Sequence, residues 1–125
     1  MGLSQLDLTL SQYRTLMFLD EGWAAASVLA DDLAVTRPSV TAVVDGLVAR
    51  GLVERKHHDS DRRRIEHRLT ERGRDVLCQA DGAVEARFRE IASLLDEEAE
   101  ATAFAGLDLW RAGLDAFRAA KKKVK

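Results

Sequence analysis

The stretch HHDSDRRRIEH, residues 57–67, holds all three histidines of the chain together with two aspartates and three consecutive arginines. Two chemistries compete for it. Imidazole nitrogens and carboxylates are zinc ligands, but three or four of them must converge on one ion. Guanidinium groups suit phosphate and the electronegative floor of a narrow groove. If the segment is a β-hairpin, adjacent His57 and His58 point to opposite faces, so only one of them could join Asp59 and His67 on a metal. That arrangement stays open on the sequence alone. No run of acids matches Arg62, Arg63 and Arg64, however, and this favours a polyanionic partner; we expect no bound metal and no cofactor.

The distribution of charge points the same way. The formal net charge is −2, yet residues 1–36 sum to about −4, residues 37–74 to about +4 and residues 75–125 to about −2. A local positive face attracts polyanions within about a Debye length, whatever the average over the chain. Catalysis is not expected, because the chain lacks a glycine-rich phosphate loop, a Ser or Cys nucleophile with a suitably spaced His, and a carboxylate pair in any recognisable motif.

The elements that must position the segment follow from periodicity. A chain of 125 residues, 46% hydrophobic, has material for one domain with a real core, 1–125, and not for two. Thr9 and Gln12 form a capping box ahead of Tyr13, Leu16, Met17, Phe18 and Leu19, which predicts a helix over about 10–21. Ser27 is the expected cap of a second helix burying Val28, Leu29 and Leu33. Thr36, Arg37 and Pro38 open a third, Arg37 to about Ala49. In it Val40, Val43, Val44, Leu47 and Val48 make one buried stripe. Pro38, Ser39, Thr41, Ala42 and Asp45 form the opposite face, whose short side chains let a large partner approach closely. Gly51 ends the helix, LVERKHH and IEHRL read as two strands, and DSDRR as the turn between them. Two helices around a tight turn followed by a basic hairpin is the order of a winged helix-turn-helix lobe, over 9–69.

Beyond it, Thr70 caps a long helix with Leu77, Ala80, Val84, Phe88, Ile91 and Leu95 in one stripe, and Asp96 starts another. On the last helix Phe104, Leu107, Trp110, Leu114 and Phe117 recur at spacings of three and four, a heptad-like seam too large and aromatic to face water. An intramolecular hairpin could cover it; we favour dimerisation through residues 70–120, with Leu3 to Leu10 interlocking. Cys78 is expected to be a small buried hydrophobe, and KKKVK a solvated helix end. Residues 1–10 carry no secretory signal, Leu6 stands where a myristoylated Gly2 requires Ser or Thr, and no stretch reaches the ~18 apolar residues that span a bilayer. A cytoplasmic protein with no membrane partner is the expectation.

The segments LTLSQYRTL, LADDLAVTRPSVTAVVDGLVARGLVER, DSDRRR and RLTERGRDVL, in this order over about residues 8–80, resemble the MarR family of bacterial winged helix-turn-helix transcriptional regulators. The resemblance implies a mainly α fold with a small antiparallel β-hairpin and C-terminal dimerisation helices. It also implies a homodimer on pseudo-palindromic double-stranded DNA, often released by a small-molecule effector. Carried onto this sequence, it puts Thr36, Pro38, Ser39, Thr41 and Ala42 toward the major groove, with Arg37 on phosphate. At the wing, Asp61, Arg62 and Arg63 match an Asp-x-Arg element in which Asp61 orients Arg63 into the minor groove, beside Arg64. Tyr13, Met17 and Trp23 would line an effector cleft, and Phe104, Leu107, Trp110, Leu114 and Phe117 the dimer interface. Three departures stand out: Ala42 and Gly46 replace arginines common in the family, Ala34 replaces a turn glycine, and residues 1–8 replace a long N-terminal helix. The alternative reading is a winged-helix module for protein–protein interaction that has lost DNA binding.

Overall fold

The computed structural model describes residues 3–124; Gly2, on which the myristoylation reading turned, and Lys125 of the basic tail lie outside them. A 3-10 turn, Leu3–Leu6, leads into α1 (Leu10–Leu19), β1 (Ala24–Ala25), α2 (Ala26–Leu33), α3 (Arg37–Ala49), β2 (Val53–His57), β3 (Ile65–Leu69), α4 (Glu71–Ala92) and α5 (Glu97–Val124). The strands form one antiparallel sheet in the order β1-β3-β2. The hairpin read from the sequence is therefore part of a three-stranded sheet. Among the described residues no helix is long and apolar enough to cross a membrane. The chain forms two compact units, one extending to Ala86 and one from Arg87 onward.

The first unit is built on local signals that the sequence carries openly. The Thr9 hydroxyl accepts the Gln12 N–H while the Gln12 side chain accepts the Thr9 N–H, a complete capping box. Thr36 caps α3 through the Ser39 N–H, with Pro38 in the first turn. Thr70 caps α4 by accepting the Gly73 N–H at 3.0 Å and itself donates to the Gly51 carbonyl. At the end of α3, Gly51 (φ 73°) is left-handed, and the Leu52 and Gly51 N–H groups return to the Leu47 and Val48 carbonyls. The end of α2 repeats this motif with Ala34 (φ 57°) in place of glycine, Val35 returning to Ala30 and Ala34 to Asp31. A Cβ in that conformation costs about 1–2 kcal/mol.

These caps present the apolar faces to one core. Leu16, Leu19, Leu29, Val40, Val44, Leu47, Leu52 and Leu69 are fully buried in it, each burial of such a side chain contributing about 1.5–3 kcal/mol relative to exposure. Val43 and Val48 pack at its edge, completing the α3 stripe. Of the segment Leu3 to Leu10, expected to interlock with a partner, Leu8 is buried in this core, Leu3 and Leu6 pack against it, and Leu10 stays exposed. Arg50 fastens that segment by donating to the Asp7 and Leu6 carbonyls at 2.7 and 3.2 Å.

Other expectations shift as well. α1 stops at Leu19, two residues short, and Met17 is exposed. The cap of α2 is Ala25, not Ser27, because Ala24 and Ala25 are held in the sheet opposite His67 and Glu66, so the helix starts where that pairing stops. The helix buries Leu29, Ala30 and Leu33 and leaves Val28 exposed. Cys78, one position round α4 from buried Leu77, is exposed, not a core residue.

The second unit is helical. Asp96 caps α5 by accepting the Ala99 N–H at 2.8 Å, and Arg89 lies 5.6 Å from the Phe104 ring. Its apolar residues are largely in water: Phe88, Ile91, Leu94, Leu95, Leu107, Leu109, Trp110, Leu114 and Phe117 are all exposed, Trp110 at 75%. The stripe of α4 thus changes character along its length, from buried Leu77 and Ala80 to exposed Phe88 and Ile91.

Candidate nucleic-acid interface

The stripe of α3 that is buried fixes the one that is not. Thr36, Arg37, Pro38, Ser39, Thr41, Ala42 and Asp45 are all exposed on one lobe, and the longest neutral side chain among them is threonine. The Thr36 hydroxyl donates to the Ser39 hydroxyl at 3.0 Å, which leaves the Ser39 proton for an outside acceptor. Asp45, further along the same face, is paired with Arg55 of β2.

The wing is organised by backbone bonds around Asp61. Its carboxylate accepts the Arg63 N–H at 3.0 Å, and its carbonyl accepts the Arg64 N–H at 3.0 Å. The His58 N–H donates to the Arg64 carbonyl at 2.8 Å. Asp61 therefore holds the backbone of Arg63 and not its guanidinium, which differs from the direct side-chain orientation that the resemblance implies. Arg62, Arg63 and Arg64 are all exposed, and none has a carboxylate partner among the described residues.

The basic residues nearer the sheet are treated differently. On its outer face Arg68 pairs with Glu54, and Lys56 comes within 4.0 Å of Asp59. Trp23 lies against both cations, 4.5 Å from each. Among the described residues, positive charge is paired along the strands and unpaired at the tip of the wing and at Arg37, where it attracts phosphate most effectively.

Each histidine has a separate local role. His57 donates from Nδ1 to the Arg62 carbonyl at 2.8 Å. His58 faces the Ser60 N–H and hydroxyl with its Nδ1 and approaches Glu66 at 3.6 Å with Nε2. His67 is buried in β3, between Ala24 of β1 and Arg55 of β2, and donates from Nδ1 to the Ala24 carbonyl at 3.1 Å. Burial holds its pKa below the ordinary histidine value. Among the described residues no group of three His, Cys, Asp or Glu side chains could hold a metal ion. Ile65, His67 and Leu69 alternate onto one face of β3, where His67 and Leu69 are buried and Ile65, at the wing end, is exposed.

The three candidate effector residues find different surroundings. Tyr13 is buried in the lobe, its hydroxyl donating to Asp81 of α4, and burial and that carboxylate raise its pKa. Met17 is exposed, and Trp23 is half-buried beside Lys56 and Arg68. Sequence reasoning missed three residues of the site's frame, Arg55, Ala24 and Ala25. Arg55 gave no signal because its partner lies on another element, and the alanines of β1 have little strand propensity to notice.

Known proteins share this frame. A family model described as the MarR family matches residues 6–64. The helix-turn-helix transcriptional regulator FarR of Neisseria gonorrhoeae is 31% identical over 97 residues, 77% of this chain and 66% of that protein. Wild-type MarR of E. coli, in its apo form, superimposes with a TM-score of 0.78 at 28% identity, covering 85% of this chain and 79% of that one. A point mutant of MepR from S. aureus, bound to an oligodeoxyribonucleotide, superimposes with a TM-score of 0.68 at 26% identity, covering 90% and 83%. Sequence match and fold agree over the helices and the wing: the chain belongs to the MarR family.

Proposed function

We propose that this protein is a sequence-specific double-stranded DNA-binding transcriptional regulator. The observation that carries the reading is the pairing, on one lobe, of an exposed face of short side chains on α3 with three unneutralised arginines at the wing tip. α3 is suited to the major groove, where Ser39 and Thr41 would meet base edges and Arg37 a phosphate. Arg63, flanked by Arg62 and Arg64, is suited to the minor groove. The relatives support it: FarR is named a transcriptional regulator, and the MepR mutant is a DNA complex. No catalytic role is assigned.

The active form proposed is a homodimer, 9–69 of each copy reading one half-site and 70–120 supplying the interface through Phe104, Leu107, Trp110, Leu114 and Phe117. The two α3 helices would then stand about one duplex turn, roughly 34 Å, apart. A cytoplasmic repressor released by a small effector is the finer reading, and it rests on the family resemblance. Met17 and Trp23 are accessible to such an effector, whereas Tyr13 is committed to Asp81.

Affinity for fragments that the protein retains from genomic DNA, measured across salt concentration, tests the main reading. Phosphate contacts release counterions, so binding falls steeply with salt. Arg63→Ala is expected to weaken binding to all duplexes by about 1–3 kcal/mol and to reduce the salt slope by about 1, with Asp61→Ala doing part of the same damage through the loosened turn. Salt-independent retention, or none, would favour a protein-interaction module.

A further inference from the structure

The Asp45–Arg55 pair is not accounted for by phosphate attraction. Asp45 puts a carboxylate on the exposed face of α3 that the proposed function turns toward DNA, where it opposes binding. Arg55 then spends one of the cations of the basic middle third on neutralising it. Neither residue is buried: their side chains are 57% and 38% exposed, and an ion pair so placed contributes little to stability. Its position is more informative. Asp45 lies in the third turn of α3, and Arg55 is the middle residue of β2, on the side of the strand that also carries buried Val53. Directly across the ladder from Arg55 is His67, buried and held neutral, which puts no second cation beside the guanidinium. The covalent link from α3 to β2 is only Arg50, Gly51 and Leu52. Beside that short link and the shared core of Val44, Leu47, Leu52 and Val53, the ion pair is a polar tie between the exposed face of the helix and the wing strand.

We propose that Asp45 and Arg55 are positioning residues for DNA recognition, a clamp that holds the reading face of α3 in register with the wing. This rests on the DNA-binding reading above, and its distinguishing consequence is a sign. If Asp45 were only a repulsive bystander, Asp45→Asn would strengthen binding to every duplex. If it is half of a clamp, the same change weakens binding to the preferred duplex although a negative charge has been removed.

The probe is the duplex that the wild-type protein enriches from a random pool, compared with the unselected pool. Asp45→Asn and Arg55→Gln are each expected to lose about 5- to 20-fold on the enriched duplex, and the double variant no more than the worse single one, since residues acting through one contact are not additive. On the unselected pool Asp45→Asn should bind as well as wild type or better, so the ratio between the two probes collapses. Its salt slope should stay unchanged, because no phosphate contact is lost. Arg55→Lys, which keeps the charge but not the planar fork, should recover part of the loss. A merely structural role would move the melting temperature and leave the ratio between probes alone. Asp45→Asn binding the enriched duplex as tightly as wild type, or more tightly, overturns the clamp. Failure of the wild-type protein to enrich any duplex overturns the DNA reading itself, and the clamp with it.

Discussion

The two units of this chain treat their apolar side chains in opposite ways. In the lobe that extends to Ala86 the helical stripes are buried nearly to completion, and even Leu3, Leu6 and Leu8 are drawn onto the core. In the unit that begins at Arg87, a series of leucines and aromatics of the same helical periodicity stands in water. Periodicity alone reads both as core. The difference is that the lobe has elements on several sides of each stripe, whereas two helices cannot enclose a seam by themselves. The lobe is equipped to be a finished folding unit, and the helices carry a surface that asks for a partner.

The sharpest way to break this comparison is to make the exposed seam polar. Trp110→Glu with Leu114→Glu should leave the lobe folded, since neither residue belongs to its core, and should convert a dimer to monomers in sedimentation. Duplex affinity should fall by several kcal/mol, because one half-site in place of two loses the effective concentration of the linked lobe. Wild-type protein sedimenting as a monomer at micromolar concentration would show that the seam serves something else.

Gly73 provides the converse case, a large effect confined to the lobe. A Cβ built there runs into the carbonyl oxygen of Leu52, where the first turn of α4 crosses the start of β2 and Thr70 bonds back to Gly51. Backbone cannot yield as a flexible side chain can. Gly73→Ala should destabilise the lobe by about 3 kcal/mol or more, read as a lower melting temperature, with the helical signal of α5 changing last. A variant that melts like wild type would mean the lobe is less tightly closed at this corner than its packing indicates.

How much of this was legible in the sequence depends on whether the signal was local. Thr9 with Gln12, Thr36 with Pro38, Thr70 and Asp96 each announced a helix start within four residues, and all four caps are present. The stripe of α3, and therefore its exposed face, followed from spacing alone. Readings that depended on distant partners failed: Ala25 displaces Ser27 as a cap because β3 holds it, and Cys78 is exposed because the lobe covers only one side of α4. His67 looked like a possible ligand in a polar run. It is instead buried beside β1, its Nδ1 donating to the Ala24 carbonyl, in a pairing that two alanines do not advertise.

That buried histidine gives a pH test of the lobe. Its pKa is lowered in the folded state by burial. As pH falls below the ordinary value of about 6.5, the unfolded chain takes up the proton before the folded one does. The contribution of His67 to stability is thus fully present above that pH and is lost progressively as pH falls toward the folded-state pKa. Melting temperatures measured from about pH 7.5 down to about pH 5 should drop more steeply for wild type than for His67→Gln. Parallel curves would mean that the ring reaches solvent more readily than its packing implies.

The smallest effects come from two positions where glycine and alanine stand the wrong way round for helix stability. Gly46 lies inside α3, and a Cβ there would meet only the Gln12 Nε2 at 3.9 Å, an ordinary contact. Gly46→Ala should stabilise the lobe by about 0.5–1 kcal/mol through reduced freedom of the unfolded chain. Ala34 has the opposite problem, a left-handed φ of 57° at the end of α2. Ala34→Gly removes the steric cost of that conformation but adds unfolded-state entropy, for a net gain of about 0.5–1 kcal/mol. In a unit of this size either change corresponds to a rise of a few degrees, about 4 °C, in melting temperature. Both residues flank the reading face without being part of it, so duplex affinity and the dimer should be unaltered while the lobe gains. If Gly46→Ala instead lowers affinity for the preferred duplex alone, the bare backbone at that position is itself in contact with DNA, and glycine there is a feature of recognition and not a weak point in the helix.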